Sequence, residues 1–133
     1  MGTQKYTRED RFAYTKNMVV NKVRDAISEI NKGKESMASD YRYFFEWRSL
    51  DTYKMIEELE EYEALVNIYE QQDYTGVSDY LKHTCKHIAD DILYGALKKQ
   101  STSVMANVAY QAQIEAKQNV YKFYGSLLAI LNE

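Results

Sequence analysis

A chain of 133 residues with no proline and only five glycines has few means of stopping a helix. Proline breaks helices by removing a backbone donor and clashing with the preceding turn, and glycine is a common residue just past a helix end. Where both are scarce, long helices joined by short connections are expected. Apolar residues recur with the helical period of about 3.6 in four segments, at about 7–32, 40–71, 77–99 and 102–131.

The first segment opens at Thr7, a capping residue with Asp10 three positions on, and is expected to end at Lys32-Gly33, where glycine can take the left-handed terminal conformation. Phe12, Val19, Val23, Ala26, Ile27 and Ile30 fall on one stripe, while Arg11, Tyr14, Met18 and Asp25 point away. Ser36 to Asp40 can cap the second segment, in which Tyr41, Phe44, Phe45, Met55, Leu59, Tyr62, Val66 and Tyr69 share a face. A helix of that length would run for about 45 Å, with a kink or break expected at Ser49-Leu50-Asp51-Thr52.

Asp73-Tyr74-Thr75-Gly76 reads as a turn, and Val77, Leu81, Cys85, Ile88, Ile92 and Ala96 mark the buried face of the third segment, which ends near Lys98-Lys99. Ser101, Thr102 and Ser103 offer caps for the fourth. Its main stripe holds Met105, Val108, Ala109, Ala112, Ala116, Val120, Phe123, Leu127 and Ile130, the alanines permitting close approach of a neighbour. Connections this short favour antiparallel neighbours. The expected fold is therefore all-α: one domain over 1–133, an antiparallel up-down four-helix bundle.

No apolar run approaches the roughly 18 residues of a membrane span. Met1 to Asp10 is polar and lacks a secretory signal pattern, and the lone Cys85 cannot form an internal disulfide. These features point to a soluble, intracellular, cytoplasmic protein. Cys85 sits on the apolar stripe and reads as a small buried side chain, not a reactive thiol.

Charge is unevenly spread. Residues 49–80 hold nine acidic side chains and one basic, including Glu57, Glu58, Glu60, Glu61 and Glu63, while the first segment carries Lys5, Arg8, Arg11, Lys16, Lys22 and Arg24. The basic residues are scattered around their helix and interrupted by acids, unlike the clustered stripe of a duplex-binding surface, which argues against a nucleic-acid partner. Attraction between the basic and acidic helices is the plainer expectation.

The only two histidines, His83 and His87, stand four apart, with Asp90 and Asp91 one turn on. His83, His87 and Asp91 could make a three-ligand transition-metal site, because residues at that spacing face the same way. Tyr80 and Thr84 occupy the positions where a di-iron bundle would place glutamates, so that architecture is disfavoured. The histidines also project away from the Leu81, Ile88 and Ile92 stripe, which favours solvated or partner-contacting roles, with no cofactor expected. Arg48, Lys16 and Asn119 lie on or near apolar stripes, where a buried cation or amide needs an internal partner or an anionic ligand.

No nucleophile elbow, phosphate-binding glycine loop or nucleotide fingerprint is present, which argues against an enzyme. The chain is rich instead in tyrosine, with 13. The fourth segment carries a second stripe about 150° from the first, of Tyr110, Ile114, Tyr121 and Leu128, with Tyr124 between the two. Tyr80, His83, His87 and Tyr94 line the outer side of the third, and Trp47, Leu50, Leu65 and Ile68 lie off the main stripe of the second. Surplus apolar surface of this kind marks a self-association or partner site, unless a helix is buried on two sides. The expected function is a non-enzymatic interaction or assembly module, an accessory subunit or protein inhibitor, acting through the outer aromatic surfaces of the third and fourth helices. The alternative is a bundle that binds a small ligand or metal.

Overall fold

The computed structural model describes residues 6–97 and 103–133, and every element among them is helical. We label the helices α1 (Arg8–Ser39), α2, α3 (Tyr74–Leu97) and α4 (Val104–Leu131). Helix α2 is a continuous run of three stretches, Tyr41–Tyr43, a π-helical turn Phe44–Arg48, and Ser49–Gln71. The chain is all-α over the described residues, and no helix there is long and apolar enough to cross a membrane.

Helix α1 begins as its sequence dictates. Thr7 Oγ1 accepts from the Asp10 backbone N–H at 3.1 Å, and the Asp10 carboxylate accepts from the Thr7 N–H at 3.0 Å, a reciprocal capping box. The expected end at Gly33 is not observed: the helix runs on to Ser39, and Gly33 is buried inside it. A Cβ at that position would collide with the Thr52 side chain, so glycine serves a close helix–helix approach. The true joint is Asp40, whose N–H donates to the Ser36 carbonyl at 2.8 Å while its side chain accepts from the Tyr43 N–H at 3.1 Å. One residue thus ends α1 and caps α2.

The kink expected at Ser49 to Thr52 is likewise displaced. Those residues are regular α-helix, and the irregularity is the turn just before them, where the Ser49 N–H donates to the Phe44 carbonyl five residues back. Gly76 is inside α3, its N–H bonded to the Asp73 carboxylate at 2.9 Å. At the start of α4, Ser103 is the cap, its hydroxyl accepting from the Ala106 N–H. The expected helix end at Lys98-Lys99 and the caps Ser101 and Thr102 lie outside the described residues.

Specific pairs set the helices against one another. Phe12 and Thr15 of α1 meet Tyr69 of α2, and Gly33 meets Thr52. Tyr53, Lys54, Glu58 and Tyr62 of α2 meet Gln113, Glu115, Asn119 and Phe123 of α4, the numbers rising together. In α3, Gly95 faces Tyr110 and Ile114 of α4, and Asp91 meets Lys117. Helix α4 packs along both α2 and α3, and α2 along both α1 and α4. Burial on two sides follows, so Leu65 is fully buried and Ile68 packs on the core, although both lie off the main stripe of their helix.

The core is concentrated towards one end. It joins Val19, Tyr62, Leu65, Tyr69, Val77, Leu81, Ile88, Val120, Tyr124, Leu127 and Leu131. In α1, Thr15 is buried and Met18 packs on this core, whereas Ile27 is exposed, a rotation of the stripe from the one expected. The buried hydroxyl of Thr15 donates to the Arg11 carbonyl and accepts from Tyr69 Oη, both at 2.8 Å, which removes the cost of burying it. The described ion pairs do not join α1 to α2; between helices, Lys54–Glu115 at 3.1 Å and Lys117–Asp91 at 3.3 Å bind α4 to α2 and α3.

Candidate partner surface

The tyrosines expected on the outside of α3 and α4 divide into two groups. Tyr124 is fully buried and its hydroxyl donates to the Glu61 carbonyl at 2.9 Å, so it belongs to the core. Burial pushes its ionisation far above the ordinary tyrosine value. Tyr80 and Leu128 are half-buried against the same core. Tyr110 and Ile114 are half-buried where α4 faces Gly95, which leaves room for them. The second stripe of α4 is in these places a contact between helices, for the physical reason that α4 lies between α2 and α3. What remains outside is Tyr121, 43% exposed, with His83, His87 and Tyr94 on α3.

His83 and His87 pack edge to face, with their Nε2 atoms 3.0 Å apart. Asp91 is turned to Lys117. Among the described residues no group of three or more histidine, cysteine or carboxylate side chains could hold a metal ion. Burial pushes the half-buried Cys85 thiol up, away from the thiolate form that reacts. Arg48 is half-buried in the π-helical turn, and none of the ion pairs among the described residues involves it.

The most exposed aromatic surface lies elsewhere, at the joint of α1 and α2. Five of the seven residues 41–47 are aromatic, and a helix can turn only one side of such a run to its neighbour. Phe44 is the one buried, set against Phe45 with ring centroids 5.4 Å apart. Around it Phe45 is 63% exposed and Trp47 71%, with Tyr41, Tyr43, Leu50 and Met37 also exposed. The π-helical turn falls within this run and shifts the facing of the residues that follow it. A regular helical period puts Tyr41 and Phe45 on the core face, yet both are exposed. The density of aromatics was the feature that could have revealed the surplus.

Leu93 and Tyr94 near the end of α3, and Val104 and Met105 at the start of α4, are also exposed. Given the meetings of Gly33 with Thr52, Tyr53 with Gln113 and Gly95 with Tyr110, these residues lie towards the same end of the molecule as the joint. Met105, expected in the core, is thus at the open end. No known protein family, curated protein or solved structure matches this chain.

Proposed function

We propose that this chain is a non-enzymatic interaction module that docks a protein, another copy of itself or a different chain, through the aromatic joint of α1 and α2. The observation that carries this reading is the exposure of Phe45 and Trp47 beside Tyr41, Tyr43 and Leu50. Large aromatic side chains left in water cost hydration free energy that a partner recovers, and tryptophan and tyrosine are the residues most enriched at the centres of interfaces. The exposed His83, His87, Tyr94 and Tyr121 extend the candidate surface to α3 and α4. The helix pairings support an up-down bundle in which α2 and α4 run in the same direction, and the lone half-buried cysteine suits a reducing, cytoplasmic setting.

Trp47 is the only tryptophan, so its emission reports this surface alone. For the self-association form of the proposal, light scattering across a concentration series should show rising mass together with a blue shift of the emission. Phe45→Glu should abolish the mass increase while leaving the far-ultraviolet circular dichroism helical. A mass that rises unchanged in Phe45→Glu would remove the joint as the docking surface. A strictly monomeric chain would leave only docking of a different protein.

A further inference from the structure

The end of the molecule opposite the aromatic joint, about 45 Å away along α1, holds a cleft of about 310 Å³ between the start of α1, the start of α3 and the end of α4. Arg8, Arg11 and Lys82 line it together with Tyr74, Ser78 and Asn132. Two carboxylates, Asp79 and Glu133, line it as well. None of the three cations forms an ion pair with either of them or with any other acid among the described residues.

Both arginines are nevertheless held in place. The Arg8 guanidinium lies over the Tyr74 ring, 4.9 Å from its centroid, an arrangement that fixes the group without neutralising it. Arg11 donates from Nη1 to the Tyr6 carbonyl at 2.7 Å, a neutral acceptor. Its Nε is buried with no acceptor at all. Buried polar atoms are seldom left unpaired, and a guanidinium that is half-buried without a counter-charge has lost hydration that the single bond to Tyr6 replaces only in part.

We propose that the cleft binds the phosphate group of a small phosphorylated molecule, with Arg8, Arg11 and Lys82 as its cationic ligands. A dianionic tetrahedral group suits three cations arriving from two helices, and guanidinium forks match phosphate oxygens with paired donors. The Ser78 hydroxyl and the Asn132 amide add neutral hydrogen-bonding groups at the wall. Asp79 and Glu133 would repel a bare anion, yet they can accept hydrogen bonds from hydroxyl or amino groups on the rest of the ligand. The cleft therefore selects for a phosphorylated molecule that also carries donors. Its dimensions suit a small molecule, and the basic residues form no extended stripe along which a nucleic-acid backbone could run.

The test is calorimetric titration of the full chain with inorganic pyrophosphate and, separately, with sodium chloride at matched ionic strength. Pyrophosphate should bind one to one, more weakly as salt rises. Lys82 and Asp79 are both exposed, so changing them leaves the fold intact. Lys82→Glu should weaken binding by about tenfold or more, and Asp79→Asn should tighten it, since the first adds and the second removes a negative charge at the site. Arg11→Gln should weaken it too, with circular dichroism confirming a folded chain. Equal affinity in the wild type and Lys82→Glu would overturn the proposal. So would a response to pyrophosphate no greater than that to chloride.

Discussion

Gly33 and Gly125 both lie inside helices, and their surroundings differ. A Cβ at Gly33 would run into the Thr52 side chain, whereas one at Gly125 would meet nothing within 4 Å. Gly125→Ala should therefore stabilise the protein by about 0.5–1 kcal/mol, the ordinary gain of alanine over glycine in a helix. Gly33→Ala should destabilise it by about 1–3 kcal/mol, as overpacking does, and thermal melts of the two variants check both signs. Glu61 gives a pH dependence. Burial raises its carboxyl above the ordinary value, opposed by Lys117 and reinforced by Glu60 and Glu57. The folded state thus holds this proton more tightly than the unfolded chain does. Its contribution to stability is present below the ordinary carboxylate range and is lost as pH rises through the folded value. Glu61→Gln should accordingly raise the melting temperature at neutral pH, with the gain vanishing near pH 4. A gain of the same size at both pH values would contradict the desolvation account. Glu115 acts in the opposite sense, held below its ordinary value by the hydrogen bond from Lys54.

At the scale of the helices, the four segments were legible because periodic patterns longer than 20 residues have no competing interpretation. The start at Thr7 was legible for a local reason, since a capping hydroxyl acts within three residues, whereas Ser103 was one of three candidate caps for the last helix. The ends were not. Gly33 has a sequence that suits a terminus, and only the approach of Thr52 makes it an interior residue. Which sides of α2 and α4 are covered was equally hidden, because each is packed by two neighbours and a single stripe describes only one of them. This is why Tyr124 and Leu65 proved buried. The distinction can be measured on adjacent parts of α4. Tyr124→Ala and Leu127→Ala remove fully buried atoms and should each cost about 2–5 kcal/mol. Tyr121→Glu should cost clearly less, because that residue is 43% exposed and lies outside the core. If denaturant melts give Tyr121→Glu a loss as large as that of Tyr124→Ala, the assignment of α4 faces fails.

Taken as a whole, the molecule is polarised. Buried residues from all four helices gather towards the end defined by Tyr69, Val77 and Leu131, while the aromatic joint stands at the other. The candidate site was only half visible in the sequence for this reason. The surplus of aromatic residues could be read from 13 tyrosines and the run around Trp47. Which of them stay exposed on α3 and α4 could not, because that depends on the two helices between which α4 lies. Residues 41–50 are the proposed docking surface, and site-specific photocrosslinking in the cell that makes the protein can show whether a protein sits on it. A photoreactive residue at position 45 or 47 should give a discrete protein adduct, of this chain with itself or with one partner, while one at the exposed position 63, on the acidic side of α2, should not. Adducts of equal yield at 47 and 63, or none at 45 and 47, would contradict the account.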